Sequence, residues 1–256
     1  MKKVTFDLTG KVALVIGGTS GIGEAIALEY ANWGAHVVAV GRRADRCREV
    51  AAEIRAAGVE TLEYPMDATD KAQIEALCQA TIEKFGRIDI LANCAGINRR
   101  HNAEDFPMED YDEVMDINVR SVFMCTQIVG RQMIQQGYGK IVNISSMTAF
   151  LGSNRIAAYC ASKGAVGQLT KAFAVEWTKY NIQVNCIAPG YFATDLTAAL
   201  HTSTEASERV LRRVPMQRWG QVEELAGAAI FLASDASSYV TGSTVVVDGG
   251  MLAFGV

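Results

Sequence analysis

Tyr159 and Lys163 are four residues apart in Tyr159-Cys-Ala-Ser-Lys163, a stretch of helical composition. At that spacing two side chains sit one above the other on a helix face. A phenol titrates near ~10 and a lysine near ~10.4 in water. An ammonium held against a phenol favours the phenolate, so the pair predicts a Tyr159 pKa drawn down toward neutrality. That is the chemistry of a proton donor to a carbonyl, or of a proton acceptor from an alcohol. Ser146 ends the stretch Gly139-Lys-Ile-Val-Asn-Ile-Ser-Ser146, thirteen residues before Tyr159. A strand end and a loop can fold it back onto the helix, where its hydroxyl would bond the same substrate oxygen. Tyr-x-x-x-Lys alone also fits a surface pair on an ordinary helix. The elements around it decide.

Residues 12–16, Val-Ala-Leu-Val-Ile, form a short continuous apolar run. Such a run predicts a strand buried on both faces, as in a parallel sheet. Gly17-Gly-Thr19-Ser20-Gly21-Ile22-Gly23 follows at once, then a helical pattern from Glu24. The glycines allow a tight turn and a close approach of backbone to a pyrophosphate, and the helix N-terminus offers free N–H groups. Between a first strand and a first helix, that turn points to a dinucleotide. The second strand, 36–41, ends at Gly41, where the adenosine ribose of a dinucleotide falls. An acid there would bind the ribose hydroxyls and repel a 2′-phosphate. This chain has Gly41, Arg42 and Arg43, and a guanidinium fork suits a phosphate. The expectation is a preference for NADP(H), with NAD(H) possible. The alternative for Arg42 and Arg43 is a solvated pair in a loop.

The alternation continues. A strand over 59–66 ends in Asp67-Ala68, and a helix runs over 70–84. A strand over 88–92 ends in Asn93-Cys94-Ala95-Gly96. A long helix is predicted over 109–136, with Asn118 inside it. A strand over 140–144 and a helix over 157–180 follow. A strand over 182–187 ends in Pro189-Gly190, and a helix over 221–233 and a strand over 244–247 close the chain. Repeated strand–helix units imply an α/β fold with a doubly wound parallel sheet and helices on both faces. We expect one domain over residues 1–256. Ligands of such sheets bind beyond the carboxyl ends of the strands, where the glycine and polar clusters fall. Residues 193–214, polar and helical in parts, lie where a substrate-covering lid belongs.

Composition narrows the class. Half of the 256 residues are hydrophobic and the net charge is −4, with both signs interspersed. No basic block suggests nucleic acid, and no acidic tail suggests disorder. Met1-Lys-Lys-Val-Thr-Phe-Asp lacks an apolar core, so no signal peptide is expected. No apolar run approaches the roughly 18 residues of a membrane span. Six scattered cysteines without C-x-x-C pairs read as reduced thiols of a cytoplasmic protein. Histidines 36, 101 and 201 share no ligand spacing, and no metal is expected.

Taken together, Gly17-x-x-x-Gly21-x-Gly23, Asp67, Asn93-x-Ala95-Gly96, Asn118, Ser146, Tyr159-x-x-x-Lys163, Pro189-Gly190 and Thr194 resemble the short-chain dehydrogenase/reductase family over nearly the whole chain. The resemblance implies a Rossmann fold, a nicotinamide cofactor and a catalytic set of Asn118, Ser146, Tyr159 and Lys163. It implies that Lys163 also binds the nicotinamide ribose, and that Asn118 fixes a water linking Lys163 to solvent. Asp67, with Ala68 beside it, would meet the adenine and Thr194 the carboxamide. Phe192 would pack near the ring or serve as core. A homotetramer is also implied. Two departures stand out: Ile16 where the glycine motif opens with Thr, and Cys94 for the second Asn of Asn-Asn-Ala-Gly.

Within the family, Gly96-Ile-Asn-Arg-Arg100, Pro189-Gly-Tyr-Phe-Ala-Thr194, Arg218-Trp-Gly220 and Val247-Asp-Gly-Gly-Met-Leu252 are similar to gluconate 5-dehydrogenases and deoxy-ketogluconate dehydrogenases. A sugar acid needs a cation for its carboxylate, and Arg100 is the expected substrate contact beyond Ser146 and Tyr159. A surface pair is the other reading of Arg99 and Arg100. Two other functions fit most of the motifs: a reductase of β-ketoacyl thioesters or other ketones, and a nucleotide-binding sensor without chemistry. The intact catalytic set speaks against the sensor.

Overall fold

Strand β1 (Val12–Ile16) shows why this sequence builds a covered sheet. Its side chains alternate between two separate clusters in the computed structural model, which describes residues 4–254. Ala13 and Val15 pack into one cluster, Leu14 and Ile16 into the other. Both faces are apolar, so helices must cover both. The first three residues of the N-terminal stretch and the last two of the chain lie outside the described residues.

The chain continues through α1 (Gly21–Asn32), β2 (His36–Gly41), α2 (Ala44–Ala56), β3 (Tyr64–Pro65) and α3 (Lys71–Phe85). After β4 (Ile90–Asn93) come α4 (Met108–Met115), α5 (Ser121–Gln136), β5 (Gly139–Ile144), α6 (Ala157–Trp177) and β6 (Ile182–Pro189). Short helices α7 (Ala198–His201) and α8 (Thr204–Leu211) precede α9 (Val222–Ala233) and β7 (Thr244–Val247). The strands form one sheet in the order 3-2-1-4-5-6-7, and every pairing is parallel. Residues of α1, α2 and α9 cover one face, through Ile26, Val50 and Leu225 among others. Those of α3, α5 and α6 cover the other, through Leu77, Val129 and Phe173. The strand order reverses between β1 and β4, which opens a crevice at their carboxyl ends.

Two elements differ from the sequence reading. The strand expected over 59–66 shrinks to Tyr64–Pro65. Pro65 has no N–H to give and lies on the outermost strand, where a proline ends pairing. Upstream, Glu60 makes isolated bonds instead, donating its N–H to His36 Nδ1 and accepting from Val37. The helix expected over 109–136 is also interrupted. A π turn at Asp116–Arg120 separates α4 from α5, and Asn118 lies in it, fully buried. Among the described residues no helix is long and apolar enough to cross a membrane.

Candidate active site

Between β1 and α1 the chain turns through Gly17–Gly23 with almost no room. A Cβ on Gly17 would lie 2.6 Å from Ala95 N, and one on Gly23 only 2.0 Å from Gly17 O. The N–H groups of Gly17 and Gly18 donate to Val40 O, fastening the turn to the end of β2. The turn delivers the N-terminus of α1 to a cavity of about 410 Å³. Its wall includes Gly17, Thr19, Ser20, Gly21, Ile22 and Gly23 from the turn, then Gly41, Arg42 and Arg43 after β2. Asp67 and Ala68 follow β3, Ala95 and Gly96 follow β4, and Pro189, Gly190, Phe192 and Thr194 belong to β6 and the chain after it. Ser146, Tyr159 and Lys163 close the other end. The cavity thus runs from Arg42, Arg43 and Asp67 to Ser146, Tyr159 and Lys163, and the backbone closeness a pyrophosphate requires is built in. Its residues fit a dinucleotide.

At the reactive end each side chain is held by its neighbours. Lys163 Nζ donates to Ile144 O at the end of β5 (2.8 Å), and Ser145 Oγ donates to Lys163 O (2.7 Å). Ser146 Oγ accepts from Thr148 N at 3.1 Å, which leaves its own O–H free to donate. The Lys163 ammonium lies 5.6 Å from the Tyr159 ring centre. Burial pushes Lys163 down to about 8. Burial also pushes the Tyr159 phenol up to about 12, against a smaller downward pull from Ser146. This runs opposite to the sequence expectation: in the chain alone, desolvation outweighs the pull of Ser146.

Asn118 reaches the same place from below. Its Oδ1 accepts from Ile97 N (2.8 Å), and its Nδ2 donates to Ile97 O (2.9 Å) and Ser162 Oγ (3.0 Å). The π turn carries Asn118, and that side chain satisfies the backbone of this loop at Ile97. Asn118 Oδ1 and Lys163 Nζ would each lie 3.3 Å from a Cβ placed on Gly96. The loop after β4 is therefore clamped between the two.

Asn93 corrects another expectation. Its side chain is not in the cavity wall; Nδ2 donates to Asn143 Oδ1 (2.8 Å) and Thr126 Oγ1 (3.1 Å) inside the sheet. Asn143 continues the chain to Thr170. Asp67 spends Oδ1 on the N–H and hydroxyl of Thr69, which holds its carboxyl below the usual range. Phe192 is buried in the core and also lines the cavity. Arg42 and Arg43 are exposed and form no ion pair among the described residues. Arg100 is exposed and outside the cavity wall, while Arg99 is bound to Glu113 (2.7 Å) and Arg218 to Glu224 (2.6 Å). The sequence reading missed Arg46, whose guanidinium grips Glu24 in α1 and whose Nε donates to Thr19 O at 3.3 Å. A lone arginine in an amphipathic helix carries no signal of that.

The family model described as enoyl-(acyl carrier protein) reductase matches residues 17–252. The chain is a short-chain dehydrogenase/reductase. As a member of that family it is an oxidoreductase acting on a CH–OH group. It is 44% identical over 250 residues to the 2-dehydro-3-deoxy-D-gluconate 5-dehydrogenase of Dickeya dadantii, covering 97% of this chain and 98% of that one. It is also 44% identical to the gluconate 5-dehydrogenase of Gluconobacter oxydans, covering 96% of each. Among solved structures, a gluconate 5-dehydrogenase from Burkholderia cenocepacia in complex with NADP and tartrate superposes with a TM-score of 0.94 at 42% identity, over 98% of each chain.

Proposed function

We propose that this short-chain dehydrogenase/reductase interconverts a secondary alcohol and a ketone on an open-chain sugar acid, in the manner of gluconate and 5-ketogluconate, with NADP(H) as cofactor. The observation that carries the reading is one cavity with Ser146, Tyr159 and Lys163 at one end and, at the other, two arginines without an ion pair among the described residues and no acid at 41. The names of the similar proteins favour a sugar acid.

A bound nicotinamide supplies or accepts the hydride. Ser146, its oxygen already accepting from Thr148, donates to the substrate oxygen and holds it against Tyr159. Tyr159 gives that oxygen a proton in reduction and takes it back in oxidation. Lys163 favours the phenolate and binds the ribose hydroxyls. Asn118 keeps the loop at Ile97 and Lys163 in register and fixes the water beside them. Arg42 and Arg43 receive the 2′-phosphate, Asp67 the adenine and Thr194 the carboxamide. Arg100 receives the substrate carboxylate, and residues 193–214 cover it. Exposed Phe123 and Val175 on α5 and α6, with Val246 on β7, supply apolar surface for a homotetramer. Six free cysteines support a cytoplasmic setting.

The test is loss of reduced-cofactor absorbance with 5-ketogluconate, with β-ketoacyl thioesters and with neutral ketones. Turnover of the thioester alone would transfer the function to acyl reduction.

A further inference from the structure

Gly41 is where charge arguments about cofactor choice usually stop. Its backbone does not call for glycine, because its φ lies outside the left-handed region. Space does. A Cβ on Gly41 would lie 2.3 Å from Thr19 Oγ1, inside any tolerable contact, while Thr19 Cβ and Cγ2 would be at 3.4 Å. Thr19 is buried and lines the cavity at its adenosine end. Its hydroxyl makes no hydrogen bond among the described residues.

Neither partner has an easy retreat. Thr19 O accepts from Arg46, whose guanidinium is fixed by Glu24. Gly18 and Gly17 are bonded to Val40 O, directly before Gly41. Gly41 O accepts from Met66 N (2.9 Å) and Cys47 Sγ (3.4 Å). A branched side chain has few χ1 rotamers, and only the one that turns hydrogen toward residue 41 would clear the contact.

We propose that Thr19 and Gly41 act as one specificity unit: the Thr19 hydroxyl occupies the volume an acidic side chain at 41 would need, so the chain excludes the ribose-binding acid by packing as well as by sequence. The proposal rests on the dinucleotide reading above. It implies that adding an acid alone cannot convert the cofactor preference, and that residue 19 must shrink first.

The experiment measures NADPH and NADH affinity by calorimetry, with thermal melting as a check on folding, for wild type, Thr19→Ala, Gly41→Ala and Thr19→Ala/Gly41→Ala. A second pair is Gly41→Asp and Thr19→Ala/Gly41→Asp. Thr19→Ala removes Oγ1 and keeps the tolerable 3.4 Å neighbour. Gly41→Ala should weaken NADPH binding about tenfold or more, the scale of an overpacked contact, and the double variant should recover to within about threefold of Thr19→Ala. Gly41→Asp should bind both dinucleotides poorly, and Thr19→Ala/Gly41→Asp should bind NADH in preference. Wild-type NADPH affinity in Gly41→Ala, or a loss that Thr19→Ala does not relieve, overturns the pairing. If Gly41→Asp does not fold, the alanine cycle decides alone. Wild type binding neither dinucleotide removes the cofactor reading and this proposal with it.

Discussion

At each end of strand β5 a buried lysine, a tyrosine and a serine come together. At the carboxyl end Lys163 bonds Ile144 O beside Tyr159 and Ser145. At the amino end Lys140 Nζ donates to Ser237 Oγ (3.2 Å), and Tyr138 precedes the strand. Burial pushes both lysines down to about 8 and both phenols up. Only the carboxyl-end group lines the cavity. The amino-end group is closed: Ser237 is spent on Leu232 O and Ser234 O, and the Tyr138 ring is capped by the Lys11 ammonium at 4.0 Å. A perturbed pKa therefore marks burial, and access to a strand's carboxyl end marks a site.

The sharpest way to break the comparison is to remove each phenol. Tyr159→Phe should cost at least about 10²–10⁴-fold in turnover, the worth of a general acid or base, with NADPH affinity kept. Tyr138→Phe should leave turnover within about threefold, far below that scale. A Tyr159→Phe enzyme retaining a tenth of the rate would erase the distinction.

The pH profile sharpens it. Reduction needs the phenol, so its rate should hold through neutral pH and fall only at high pH. Oxidation needs the phenolate, and with Tyr159 raised to about 12 its rate should climb with pH. Steady-state rates in both directions check this, and parallel profiles would point to another proton carrier.

A smaller effect is expected outside the cavity wall. A charge-assisted hydrogen bond contributes roughly 1.5–3 kcal/mol. Arg100→Ala should accordingly lower kcat/KM about ten- to a hundredfold for an acid substrate and little for a neutral ketone of similar size. Equal losses on both would make Arg100 structural.

The smallest effect belongs to the closed end. Lys140 titrates near 8 folded and near ~10.4 unfolded. Between those values the unfolded chain binds more protons, so stability gains from this group as pH rises and the penalty is full below the folded pKa. Denaturant titrations of wild type and Lys140→Met across pH 7–10 should show the wild type gaining on the variant with rising pH. A constant difference would mean that Lys140 keeps its ordinary pKa.

Much of this was legible because the physics is local. The run at 12–16 is apolar at every position, so a doubly covered strand is its only stable setting. Gly17, Gly21 and Gly23 announce the turn, and the Tyr159–Lys163 spacing survives as helix geometry. What was not legible depends on partners distant in sequence. Asn93 looks like a cofactor residue until Asn143 and Thr126 are beside it. The direction of the Tyr159 shift depends on how dry its surroundings are, which spacing alone does not carry. The end of the third strand was readable from Pro65, yet its apolar neighbours outvoted it. Arg46 could not be found without seeing Glu24 and Thr19 O together.

Met147 directly follows Ser146, and it is packed with Val210, Val214 and Met251, beside Tyr191, Trp219 and Leu252. Val210 lies on α8. The residue next to Ser146 therefore shares one apolar cluster with α8. If residues 193–214 cover the substrate as proposed, their movement would pull on the turn that carries the Ser146 hydroxyl. Opening to let a product leave should also spoil the alignment that made it, so departure and disarming become a single event. Such a gate would keep the proposed proton relay assembled only while a substrate is enclosed.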